Sequence, residues 1–141
     1  MNLYADASAL LKLFLKEPGS ERMAESAEGS SIACVAVGYV ELRAGLARAS
    51  RHGRITREVF QDHVVNAREL WRNITSIPVE ADLLEHAADN ADQFGLRAYD
   101  AMHLAALEAA GPPGTITFAC WDRDLRDTAG RLGYELLPRE L

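Results

Sequence analysis

The chain lacks any apolar run approaching the roughly 20 residues needed to cross a bilayer. Its first residues, Met1-Asn2-Leu3-Tyr4-Ala5-Asp6, contain no basic segment and meet an acid at once. That argues against a secretory leader and leads us to expect a cytoplasmic protein. Cysteine is scarce: Cys34 and Cys120 each lie inside an apolar, strand-like run, and buried free thiols are the expectation. No cysteines or histidines fall at zinc-ligand spacing. Lysine is scarcer in effect, because Lys12 and Lys16 both lie early. An aspartyl-nucleophile phosphatase or a receiver-like domain needs a lysine late in the chain, and the phosphatase also needs an acid where Ser8 stands. No glycine-rich phosphate loop of the GxGxxG or Walker type occurs, and no Ser-His-Asp set announces itself.

What is present fits one domain with a real core: 141 residues, 48% hydrophobic and 26% charged. The net charge of −6 is unfavourable for a nucleic-acid partner. Its distribution is uneven. Arg43, Arg48, Arg51, Arg54, Arg57, Arg68 and Arg72 face only Glu58, Asp62 and Glu69 over the same stretch. This run reads equally well as an RNA-facing surface and as a solvated helical face.

The order of elements reads as strands alternating with helices. Strands are expected at Leu3–Ala5, Ser31–Val35, Ile74–Val79, Thr115–Trp121 and Gly133–Leu137. Helices are expected at Ala7–Lys16, from Ser20 as N-cap through Ala27, at Val37–Ser50, from the Thr56 cap to Asn73, and at Ala81–Phe94, Tyr99–Ala110 and Asp122–Arg131. Pro78 marks the third strand as an edge strand or a strand end. Crossover connections of this kind produce a parallel sheet covered on both faces. The fold class is therefore α/β, a three-layer α/β/α sandwich around a central, mostly parallel sheet.

Three aspartates, Asp6, Asp100 and Asp122, fall at strand-to-helix junctions or helix starts. Each alone is explained as a cap, since its carboxylate accepts a main-chain N–H at the positive end of a helix. Open α/β folds, however, bind ligands beyond the carboxyl ends of their strands, where Asp6 and Asp122 converge if their strands are neighbours. Glu41 is mid-helix and caps nothing. Its helical neighbours Val37, Ala44 and Gly45 form a small, apolar face, so its charge needs a partner: an arginine, or other carboxylates across a metal ion. Crowded carboxylates need a counter-charge, and an all-oxygen set suits Mg²⁺ or Mn²⁺. Such an ion activates water for attack on a phosphodiester. His103, one turn beyond Asp100, is either a group behind the acids or a histidine satisfied by its neighbours in the packing. Tyr99 and Trp121 are expected to pack, with base stacking the alternative, and Arg97 and Arg123 either bind phosphate or balance charge.

Four stretches carry a resemblance: Tyr4-Ala5-Asp6-Ala7-Ser8-Ala9-Leu10, Val40-Glu41-Leu42, Leu96-Arg97-Ala98-Tyr99-Asp100-Ala101-Met102-His103-Leu104-Ala105, and Trp121-Asp122-Arg123-Asp124-Leu125. In this order they resemble the PIN-domain nucleases, and most of all the VapC toxins of VapBC toxin–antitoxin pairs. The resemblance spans the whole chain. It implies a Mg²⁺- or Mn²⁺-dependent endoribonuclease acting on RNA, often tRNA, a VapB-type antitoxin partner and a homodimer. By the same resemblance, Asp6 and Asp100 match the principal metal ligands, and Glu41 and Asp122 complete the catalytic acids. Ser8 matches a supporting hydroxyl, and Asp124 is a second acid ranked below Asp122. Cys120 stands where many relatives carry a hydroxyl, which puts that contribution in doubt. The helices Ala7–Lys16 and Glu21–Ala27, with Leu42, Leu46 and Phe60, are expected to offer apolar surface to an amphipathic antitoxin segment. The competing readings are an aspartyl-nucleophile phosphatase and a non-catalytic, metal-binding partner domain.

Overall fold

A computed structural model describes residues 1–141. The elements, in chain order, are β1 (Asn2–Ala5), α1 (Ala7–Leu11), α2 (Ser20–Ala27), β2 (Ser31–Val35), α3 (Val37–Arg51), α4 (Arg57–Asn73), β3 (Thr75–Ile77), α5 (Ala81–Phe94), α6 (Ala98–Ala110), β4 (Thr117–Ala119), α7 (Arg123–Arg131) and β5 (Glu135–Leu137). All strand pairs are parallel, in the order β3-β2-β1-β4-β5. The strand carrying Pro78 in its expected span is indeed at an edge.

Alternation along the strands decides which core each residue enters. Leu3 and Ala5 of β1, Ile32 and Cys34 of β2 and Ala119 of β4 face one way and pack with Leu10, Leu42 and Leu46. Tyr4, Ala33, Val35 and Phe118 face the other way and pack with Leu104, Leu107 and Leu125. Helices α1 and α3 therefore cover one face of the sheet and α6 and α7 the other, as the expected sandwich requires. No helix is long and apolar enough to cross a membrane.

The first helix differs from expectation. It is α-helical only to Leu11, after which Leu13 and Phe14 donate to the carbonyls of Leu10 and Leu11, the tighter i→i−3 pattern of a helix running out. Ser20 is not the cap of α2. Gly19 holds that position at φ +92°, while the Ser20 hydroxyl donates to the Leu15 carbonyl and accepts the Glu17 N–H, closing the intervening turn. Glycine is required twice over at 19. The left-handed backbone favours it, and a Cβ there would come within 2.7–2.9 Å of the Trp121 indole.

The order of strands creates one special place. From β1 the chain moves outward through β2 to β3, then crosses back to lay β4 on the other side of β1. The carboxyl ends of β1 and β4 thus flank the point where connections diverge, the usual crevice of an open α/β sheet.

Candidate functional site

Asp6 follows β1 and Asp122 lies just beyond β4, so the sheet brings them to the same edge. Both are also helix caps. Asp6 Oδ1 accepts the Ala9 N–H at 3.0 Å, and Asp122 Oδ1 accepts the Leu125 N–H at 3.2 Å. Cap and site member are therefore compatible roles for one carboxylate. Asp100 is not a cap, since Arg97 precedes the helix and Asp100 lies within its first turn.

Asp6 is almost completely buried. Its Oδ1 also accepts the Ser8 hydroxyl at 2.6 Å, and its Oδ2 accepts the Cys120 thiol at 3.0 Å. Ser8 Oγ in turn accepts the Trp121 N–H at 2.9 Å, and Cys120 Sγ accepts the Asp122 N–H at 3.3 Å. These bonds tie the ends of β1 and β4 together. They also answer the doubt about Cys120, whose S–H supplies a donor to Asp6. One lone pair of Oδ2 remains free for another partner.

Glu41 comes from the first turns of α3, on the β2 side. Its partner is not an arginine: Glu41 Oε1 lies 2.7 Å from His103 Nε2. His103 is fully buried, and its Nδ1 lies 2.9 Å from the hydroxyl of Tyr4, itself fully buried in β1. Tyr4 was not singled out in the sequence. The available sign was a tyrosine inside an apolar strand, because a buried phenol needs a hydrogen-bond partner.

Asp100 has no hydrogen bond to its side chain and is half-buried. Burial, followed by the charge of Asp122 and then those of Asp6 and Glu41, pushes its carboxyl up to about 6 against the relief given by His103. Burial also pushes the Asp6 carboxyl up, outweighing His103 and the bonds from Ser8, Cys120 and Ala9. Burial pushes His103 down, but the Glu41 bond and the charges of Asp6, Glu41 and Asp100 reverse this and leave it raised. The four acids and His103 thus share one electrostatic neighbourhood, and the acids repel one another. No three His, Cys, Asp or Glu side chains are close enough to enclose an ion as they stand.

Several candidates fall outside this neighbourhood. Asp124 is exposed, and only its carbonyl is engaged, by Thr128. Arg97 and Arg123 are exposed and pair with no acid. All seven arginines of the run lie on α3, α4 and the turn between them, and Arg43, two residues beyond Glu41, donates to the Tyr39 hydroxyl at 2.9 Å. Arg51 is ten residues beyond Glu41 on α3, about 15 Å along its axis. Arg54 pairs with Glu17 at 3.5 Å and Arg72 with Glu69 at 3.4 Å, both on the surface. Trp121 packs as expected, with Lys12 Nζ 4.9 Å from its ring centre. Tyr99 does not pack and is 58% exposed. The apolar surface expected around α1 and α2 is smaller than anticipated, because Leu10, Leu15, Met23, Leu42 and Leu46 are buried in the chain's own core while Leu11, Leu13, Phe14 and Phe60 stay partly buried.

The model of the PIN domain matches residues 3–130. The chain belongs to the PIN-domain family. Ribonuclease VapC49 of Mycobacterium tuberculosis (strain ATCC 25618 / H37Rv) is 34% identical over 140 residues, covering 99% of this chain and 96% of that one. Ribonuclease VapC47 of M. tuberculosis (strain CDC 1551 / Oshkosh) is 31% identical over 138 residues, covering 94% and 93%. Among solved structures, PAE2754 from Pyrobaculum aerophilum superposes with a TM-score of 0.68 at 19% identity, covering 98% of this chain and 85% of that one. A toxin–antitoxin complex from Klebsiella pneumoniae gives 0.64 at 17% identity, covering 94% of each chain. At these identities the superpositions establish the shared PIN fold. Within the family the chain groups with the VapC ribonucleases by sequence.

Proposed function

We propose that this PIN domain is a divalent-metal-dependent endoribonuclease and the toxin of a toxin–antitoxin pair. The observation that carries the reading is the gathering of Asp6, Glu41, Asp100 and Asp122, from four separate elements, at the edge where the strand order reverses. Burial raises the Asp6 carboxyl, and burial followed by the charges of Asp122, Asp6 and Glu41 raises that of Asp100; ionised acids so placed call for a cation. The donor set is oxygen only, because the Cys120 thiol is engaged as a donor to Asp6. It fits Mg²⁺ or Mn²⁺, which take carboxylate oxygens and keep several waters.

Asp6 and Asp100 would hold the ion, with Glu41 and Asp122 beside them. Bound there, the metal supplies a polarised phosphate oxygen and an acidified water. The chain's own residues prepare the site. Ser8, Ala9 and Cys120 fix the Asp6 carboxylate, the Leu125 N–H fixes Asp122, and the buried flank behind Glu41 limits water. The substrate is RNA, with structured RNA such as tRNA the leading class, met in the cytoplasm. The VapC relatives and the K. pneumoniae toxin–antitoxin complex support an antitoxin, of the VapB type, as partner, and the resemblance to VapC toxins implies a homodimer as the assembly.

The test incubates the protein with tRNA and total RNA in Mg²⁺ or Mn²⁺, beside EDTA and the Asp6→Asn variant. Asparagine keeps an oxygen for the Ala9 N–H, so the helix cap survives. Discrete fragments that disappear with EDTA and with D6N are expected. Metal binding by a folded protein that leaves both RNA pools intact would instead favour a non-catalytic binding domain.

A further inference from the structure

Behind Glu41 runs a chain of hydrogen bonds that crosses four elements, β2, β1, α6 and α3. The Val35 N–H of β2 donates to the Tyr4 hydroxyl at 3.1 Å. Tyr4 meets His103 Nδ1 at 2.9 Å, and His103 Nε2 meets Glu41 Oε1 at 2.7 Å. The Tyr4 and His103 rings also stand edge to face, 5.9 Å apart at 85°. Tyr4 and His103 are essentially without solvent, whereas the Glu41 side chain keeps 28% of its exposure and so reaches from the core into the site.

The direction of the chain follows from what each atom can do. A carboxylate only accepts, so the hydrogen between His103 and Glu41 belongs to Nε2 in either protonation state of the imidazole. In the neutral ring Nδ1 is then bare and accepts the Tyr4 O–H, which matches a phenol oxygen already accepting from Val35. Every donor has an acceptor, and no buried side-chain polar atom is left without a partner.

We propose that Tyr4 and His103 are positioning residues that hold the Glu41 carboxylate at one oxygen and present the other to the acidic site. Were Glu41 to swing into solvent, the buried Nε2–H would lose its acceptor, an unfavourable state. The helix rotation that aims Glu41 is set beside the same ring, since a Cβ on Gly38, three residues earlier, would lie 3.7 Å from His103 Cε1. This inference rests on the metal-dependent reading of the site.

Two measurements on the full-length protein test it. Nitrogen-15 spectra of the histidines should show His103 protonated at Nε2 across the folded pH range. A neutral Nδ1–H form would overturn the proposal. Calorimetric titration with Mn²⁺ then compares two variants. His103→Gln puts its amide nitrogen where Nε2 stood and keeps the donor to Glu41. His103→Asn puts its amide where Nδ1 stood and loses that donor, although both remove the ring from the core. Thermal midpoints should fall alike, while Mn²⁺ affinity should fall about 10–100-fold in H103N and stay near wild type in H103Q. Equal affinities in the two variants, whether retained or lost, would overturn the positioning role. A wild-type protein that takes up no Mn²⁺ is a different failure, removing the metal reading and this role with it.

Discussion

Replacing Gly38 with alanine probes a close approach of helix α3 to strand β2. Gly38 lies in the first turn of α3, and a Cβ built there overlaps the Sγ of buried Cys34 in β2. The methyl cannot rotate away and Cys34 is fully buried, so the sulfur must repack or helix and strand must separate. Overpacking of this kind costs about 1–3 kcal/mol. Alanine's better helix propensity offsets up to about 1 kcal/mol of that. A net loss of ~2 kcal/mol corresponds to a fall in Tm of about 6–8 °C for a chain of this length. Cys34→Ala alone removes one buried sulfur and should cost about 1 kcal/mol. In the double variant the new methyl occupies the space the sulfur leaves, so stability should return to within about 1 kcal/mol of wild type, a coupling of roughly 2 kcal/mol. Urea unfolding followed by circular dichroism at four corners of the cycle measures it. Additivity of the two changes within about 0.5 kcal/mol would refute the contact and the close packing inferred from it.

Other expectations are simpler to check. Burial, reinforced by the charge of Asp6, pushes both the Cys34 and Cys120 thiols well above their ordinary range. Ellman's reagent at pH 8 should therefore leave the folded chain untouched and titrate two thiols after unfolding, and rapid labelling of the native protein would contradict the burial. The Arg126 guanidinium is buried and donates to the carbonyls of Cys120, Pro138 and Arg139. Arg126→Met should cost about 2–4 kcal/mol and speed tryptic cleavage after Arg139, and an unchanged cleavage rate would show that the C-terminal segment is held by something else. Asp122→Asn should lower RNA cleavage about tenfold or more, while Asp124→Asn should leave it within about twofold. The reverse order would reassign the fourth acid.

Much of this protein was legible in its residues. Leu3–Ala5 and Ser31–Val35 read as buried strands because they are short, nearly unbroken apolar runs, and Val37–Ser50 reads as a helix that His52-Gly53 breaks. Failures came where a local contact competed with the pattern. The first helix stops at Leu11 although Phe14 and Leu15 continue its spacing, and Ser20 yields its cap position to Gly19 while its hydroxyl closes the turn between Leu15 and Glu17. Leu42 and Leu46 looked available to a partner because amphipathic spacing reveals a face but not what already covers it. His103 is part of the core and at the same time bonds an acid, Glu41.

By itself the sequence determined the element types, the sandwich class and the family, since these depend on residue type and short-range order. Only the tertiary structure decided that β4 lies beside β1 and brings Asp122 to the edge where Asp6 stands. It also decided that Cys120 donates to Asp6, and that Tyr4, His103 and Glu41, separated by 99 and 62 residues along the chain, form one hydrogen-bonded line. The reason is physical: spacing along a helix or strand reports which face a side chain occupies. Which distant group satisfies a buried donor or acceptor depends on strand order and close packing, and those are properties of the assembled fold.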